Sequence, residues 1–207
     1  MPVSLELDHI VVAAERLADG VAYVENALGV AMAPGGKHPL MGTHNALLGL
    51  GAVYLEVIAI DPEAPAPGHA RWFDLYNFKG PPRLTNWVAR TGDLARALAL
   101  APPGTGTPLA LSRGDLRWSM AVPEDGRLPC EGAFPGLISW QGKAHPAQRL
   151  PEAGCRLMSL QVGHAQAGGV RAALAKFTGR LADCIVSAPD PGFTAAISTP
   201  DGVKTLT

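Results

Sequence analysis

Glu56 is the misfit of the chain. It sits in the middle of Val53 to Ile60, VYLEVIAI, a β-branched and aromatic run where an isolated buried carboxylate is costly unless paired, hydrogen-bonded or bound to a metal. Side chains alternate along a strand, so Glu56 shares a face with Tyr54 and Ile58. On the preceding run, Thr43 to Leu50, His44 points with Ala46 and Leu48, which places an imidazole within expected reach of the carboxylate. A carboxylate and an imidazole together suit proton transfer or metal ligation. The competing reading leaves Glu56 in solvent and His44 capping a turn, as half-exposed antiparallel strands allow.

Other chemistry-bearing side chains are scattered. His145 follows an apolar run and precedes Pro146, in a loop able to reach a pocket mouth or simply to face water. Trp140 and Trp118 suit stacking on a planar ligand or packing in the core. His38, His69 and His164 lie in Gly- and Pro-rich contexts and are expected to do nothing special. Cys130, Cys155 and Cys184 show no C-x-x-C spacing and leave an odd thiol in any disulfide scheme, so they read as reduced. Gly104 to Thr107 lacks the lysine and the strand-to-helix setting of a phosphate loop, and no Gly-x-Ser-x-Gly elbow is present.

The elements that must position these residues follow from periodicity. Leu5 to Ala13 reads as a strand with His9 on its Leu7/Val11 face. Leu17, Val21, Val24 and Leu28 then form one stripe of an amphipathic helix, which Gly29 ends. A short strand or turn is expected around His38 to Met41, followed by the hairpin whose turn is Gly49-Leu50-Gly51. The opening thus reads β-α-β-β-β. Asp61 to Pro82 interrupts it with five prolines and the aromatics Trp72, Phe73, Tyr76 and Phe78, a short helix packed on the body or a lid. The plan then restarts with strand Arg83 to Arg90, N-cap Asp93, a short helix from Leu94, and strands at Pro108 to Ser112, Leu116 to Val122 and Gly136 to Trp140. A third opening comes at Arg156 to Gly163, with a helix at Gly169 to Phe177 and strands at Ile185 to Ala188, Phe193 to Ser198 and Val203 to Leu206. The three openings align as a weak repeat, in which His9 corresponds to Asn86 and Ser159.

Composition narrows the class. With 47% apolar and 17% charged residues over 207 positions, the chain is that of a globular protein, one large domain or two small ones. A net charge of -1 argues against nucleic acid or an anionic membrane as partner. No apolar run approaches a membrane span and no signal-like segment opens the sequence, so a cytoplasmic protein is expected.

Leu5 to Asp61, with LDHIVV, a helix ending in LGV, and GTHNALLGLGAVYLEVIAID, resembles the glyoxalase-like domains of the vicinal oxygen chelate superfamily, which includes glyoxalase I, bleomycin-resistance proteins and extradiol dioxygenases. The likeness continues more loosely through Pro135 to His164. It implies an α+β fold of repeated βαβββ modules forming half-open, curled mixed sheets. The expected layout is a first module over 1–61, a connecting segment over 62–82, a second module over 83–142 and a C-terminal βαββ unit over 143–207, all within one such domain. It further implies metal ligands at His9 and Glu56, on the first and last strands of module one. Module two offers Asn86, Trp87, Ser139 and Trp140 there, none a good ligand, so His44, His145 or water would complete the shell of Zn, Mn, Fe or Ni. Glu56 and His44 are the expected catalytic groups, and His44, Tyr54, Trp140 and His145 the substrate-binding ones. The function implied is a metal-assisted enzyme of the isomerase, lyase or dioxygenase class acting on a small carbonyl or aromatic compound. The alternative is a non-catalytic protein that binds or sequesters a small molecule. A homodimer is expected from the exchangeable edge strands of such modules.

Overall fold

The computed structural model describes residues 2–207. The first unit is β1 (Glu6–Ala13), α1 (Leu17–Leu28), β2 (Ala33–His38), β3 (Thr43–Gly49) and β4 (Tyr54–Ile60). The second is β5 (Arg83–Arg90), α2 (Leu94–Leu100), β6 (Thr107–Arg113), β7 (Leu116–Val122) and β8 (Gly136–Trp140). Their strands share one sheet in the order β2-β3-β4-β1-β5-β8-β7-β6, so the modules join where β1 runs antiparallel to β5. The sheet curls until its outer strands approach each other: a Cβ on Gly36 of β2 would lie 2.7 Å from Arg113 Cδ of β6. The result is a curled α+β half-barrel.

The strand alternation sorts the core into two. Ile10, Val12, Leu55, Val57 and Trp87 point to the convex side, where they pack with Val24 and Leu28 of α1 and Leu94 and Ala97 of α2. Val11, Ile58, Val88, Trp118, Met120 and Ile138 point to the concave side. The connecting segment folds back onto that concave side. Its 3-10 turn Trp72–Asp74 buries Trp72 and Phe73 there, and Phe78 joins them in the core as their spacing suggests, whereas Tyr76 is 71% exposed.

Helix α1 ends where Gly29 adopts φ 72°, and Asp93 caps α2 by accepting from the Arg96 N–H at 3.0 Å. The strand expected around His38 to Met41 lies earlier, at Ala33–His38. Its APGGKH sequence carries no β signal; it is an edge strand with a register shift between Pro34 and Lys37, held by pairing to β3. A third unit follows: β9 (Arg156–His164), α3 (Ala167–Leu174), β10 (Ile185–Ser187), β11 (Gly192–Thr199) and β12 (Gly202–Leu206). Its three strands after α3 lie where the sequence reading set them, one more than the βαββ label gave. Its separate sheet, β10-β9-β11-β12, contributes Val162 and Ile197 to the convex-side core. Among the described residues no helix is long and apolar enough to cross a membrane.

Candidate active site

Strand register places the acidic and basic groups on one face. In β1 and β4, which run parallel, His9 pairs with Tyr54 and Val11 with Glu56. The antiparallel partner β3 sets Leu47 beside Glu56 and Asn45 beside Ile58. His9, Tyr54, Asn45 and Glu56 therefore face the concave side, where they line a cavity of about 30 Å³. That volume suits one or two water-sized groups. His38, Trp72, Phe73, Arg113, Trp118, Met120, Ile138 and Trp140 complete much of its wall.

Asp8 organises the centre. Between Leu7 and His9 the register against β5 shifts, so Asp8 is the extra residue of a bulge, and its side chain meets that of its neighbour His9. It is fully buried. Its Oδ1 accepts from His9 Nδ1 at 2.7 Å, while Oδ2 accepts from Trp140 Nε1 and from His145 Nε2, both at 2.9 Å. His145 Nδ1 accepts the Ala147 N–H at 3.2 Å, which leaves Nε2 as the protonated nitrogen. Burial favours neutral Asp8, but the bonds from His145 and His9 outweigh it and hold the carboxyl far below its ordinary range.

The second His9 nitrogen, Nε2, lies 3.5 Å from Glu56 Oε2. Burial alone would depress the imidazole; the bonds to Asp8 and Glu56 prevail and raise it to about 9. Glu56 is likewise opposed by burial but pulled below its ordinary value, mainly by His9, with Asn45 adding a bond from Nδ2 to Oε1 at 2.5 Å. Asn45 Oδ1 in turn accepts from Arg113 Nη1 at 3.0 Å, which ties β6 of the second module to β3 of the first. His38 donates or accepts at Thr43 Oγ1 (3.1 Å), and burial pushes it down to about 4, so it stays neutral. Tyr54 stacks on His9 with centroids 4.5 Å apart; burial first, and then the charges of Asp8 and Glu56, push its phenol well above the ordinary value.

Of the expected site residues, the fold gathers His9, Glu56, Tyr54, Trp140 and His145. Trp140 and His145 serve Asp8, and their rings pack edge to face at 5.2 Å. His44 does not join them. It pairs with Ala59, on the opposite face of β3 from Asn45, so the alternation that exposes Asn45 to Glu56 turns His44 away. Asp8, Asn45, His38 and Arg113 are the members that sequence reading missed. Asn45 was legible, because the register that brings Leu47 opposite Glu56 carries Asn45 onto the same face. Nothing local marks Arg113, which arrives from the other module.

For a divalent ion, the cavity offers an imidazole nitrogen and a carboxylate oxygen facing each other, with Asp8 on the far side of the ring, where ligating histidines keep their outer partner. These donors fit two positions of an ion's shell. Water or substrate oxygens would supply the rest, since among the described residues no group of three or more His, Cys, Asp or Glu side chains is arranged to hold an ion. Module two sets Val88 beside His9 and Ile138 in the wall.

Residues 7–178 match the family described as "Glyoxalase-like domain". None of the curated proteins matches the sequence. Among solved structures, a hypothetical protein from Staphylococcus aureus is similar with a TM-score of 0.60 at 15% identity, over 97% of this chain and 85% of that one. Methylmalonyl-CoA epimerase from Mycobacterium tuberculosis gives 0.44 at 18% identity, over 67% of this chain and 88% of that one. A Streptomyces coelicolor methylmalonyl-CoA epimerase variant in complex with 2-nitronate-propionyl-CoA gives 0.45 at 17% identity, over 69% and 99%. With a family match spanning most of its length and the paired βαβββ half-barrel in place, the chain belongs to the glyoxalase-like domain family of the vicinal oxygen chelate superfamily.

Proposed function

We propose that this protein is an enzyme that moves a proton on a small carbonyl compound, with Glu56 and His9 as the reacting pair. The observation that carries the reading is the His9–Glu56 approach of 3.5 Å in a small buried-walled cavity, with the far side of His9 fixed by Asp8. Glu56 is anionic and buried, so it takes a proton from a carbon beside the carbonyl. The imidazolium of His9 faces the oxygen on which negative charge then develops. The indole N–H of Trp72, buried in the same wall without an acceptor among the described residues, is a further donor for that oxygen. Where a divalent ion (Zn, Mn, Fe or Ni) is present, His9 Nε2 and Glu56 would hold it, and it would supply Lewis-acid polarisation of the substrate oxygen. Only the reacting end of a substrate fits the cavity, which sets this reading above sequestration of a bulky compound. Consumption of 2-oxoaldehydes marks the isomerase or lyase classes, and consumption of catechols with dioxygen would mark the dioxygenase class instead.

The test is turnover and solvent-deuterium incorporation for those two compound classes. Wild type is expected to react, and Glu56→Gln to lose on the order of 10²–10⁴-fold while keeping its circular dichroism spectrum. Saturable binding without turnover in both proteins would replace this reading with a binding protein whose platform is the Trp118 and Trp140 wall. The proposal includes a cytoplasmic setting, in keeping with three free thiols, and a homodimer through the outer face of the C-terminal sheet, where Met158 and Val203 are 63% and 65% exposed. Light scattering should give twice the 21.5 kDa chain mass; a monomer at high concentration contradicts it.

A further inference from the structure

A larger cavity lies beside the one described, with Phe73 in the wall of both. It is an open cleft of about 700 Å³ between the connecting segment, the start of β5, the turn Cys130–Gly132 and β11. That is the size of a site for a small organic molecule. Phe73, Phe78, Leu84, Leu128 and Phe193 give it an apolar lining.

Two polar side chains on β5 line it with hydrogen-bonding capacity to spare. Asn86 is 6% exposed and donates its amide to Thr85 Oγ1 at 2.9 Å, while its Oδ1 has no partner among the described residues. Arg83 stacks over Phe78 at 4.4 Å and donates Nη1 to the Lys79 and Pro81 carbonyls at 3.0 and 3.2 Å, which leaves Nε and Nη2 without a protein partner. Of the side-chain carboxylates in the lining, Asp74 lies 3.2 Å from Arg127 Nε, and Glu131 lies 3.3 Å from His164 Nε2. Arg83 is the cation of the lining that no carboxylate pairs among the described residues. Both walls are held under backbone strain. Phe73, Asp74, Cys130 and Glu131, with φ of 59°, 53°, 54° and 52°, are the non-glycine residues of positive φ among those described. Such conformations are strained and concentrate at ligand clamps.

We propose that this cavity binds an aromatic hydroxycarboxylate. The carboxylate meets Arg83, the ring lies against Phe78, Leu128 and Phe193, and the hydroxyl donates to Asn86 Oδ1. The register shift that leaves Thr85 unpaired turns Arg83 and Asn86, which a regular strand would set on opposite faces, toward the same cavity, so that one ring can carry the carboxylate to the first and the hydroxyl to the second. The site is separate from the proton-transfer centre and does not depend on its chemistry.

Calorimetry on the full chain with 4-hydroxycinnamate, cinnamate and the amide of 4-hydroxycinnamate tests it. Expected is one-site binding of 4-hydroxycinnamate that weakens about tenfold or more in Arg83→Met, with the amide unaffected by that change. Asn86→Leu should reduce 4-hydroxycinnamate to the affinity of cinnamate, and His9→Ala should leave its binding as in wild type. Arg83 is exposed, so its replacement leaves the fold in place. Absence of saturable binding in wild type, equal affinity in Arg83→Met, or loss of binding in His9→Ala would overturn the proposal.

Discussion

Asp8 connects more of the site than any residue the strand pattern singles out. Its two oxygens fix His9, Trp140 and His145, and its charge holds the His9 proton in a buried setting. Replacing it tests that role. In Asp8→Asn, His9 followed by NMR in metal-free protein should titrate well below the wild-type value of about 9. Stability should follow. A histidine raised in the folded state contributes fully below its ordinary pKa near 6.5 and loses that contribution as pH rises through about 9. The decline across this window should flatten in the variant, which should also be about 3 kcal/mol less stable at neutral pH, because a buried charged partner is left exposed to the low-dielectric interior. An unchanged His9 titration would contradict the account. Glu56 was legible from sequence because a carboxylate in VYLEVIAI demands a partner. Asp8 was not, because alternation assigns it to the face opposite His9 and only the bulge brings the two together.

At the scale of elements, the helices and most strands were legible from period and caps, since α1, β5, β7 and β8 have local signals that agree with their packing. Strand β2 did not, because its glycines and proline are imposed by tertiary pairing. Those glycines have a use. A Cβ at Gly35 would lie 2.1 Å from Asn45 Oδ1 and 2.5 Å from its backbone oxygen, and Gly36 donates its N–H to Asn45 Oδ1 at 2.8 Å. The edge strand is thus pressed onto the residue that holds Glu56. Gly35→Ala should displace Asn45 and lower turnover by about tenfold or more, with a stability loss of about 1–3 kcal/mol from overpacking. Kinetics and thermal melts on one preparation check both. Turnover equal to wild type would show that Asn45 does not position Glu56.

Across the whole molecule, the two modules contribute unequally. The first brings Asp8, His9, Asn45, Tyr54 and Glu56; the second brings an apolar wall, Arg113, and the loop carrying His145. The repeat was legible in the sequence, and so was the poverty of ligands in module two. What sequence could not supply was the closure that carries Arg113 from β6 to Asn45 on β3, since that contact spans 68 positions. This asymmetry makes His9 and Glu56 the point on which the functional account turns. The most direct measurement is solvent-deuterium incorporation beside the carbonyl of small carbonyl compounds, comparing wild type with His9→Ala and Glu56→Gln while circular dichroism reports the fold. The account predicts exchange in wild type that falls on the order of 10²–10⁴-fold in both variants. Undiminished exchange in the folded variants, or none in wild type, would contradict it.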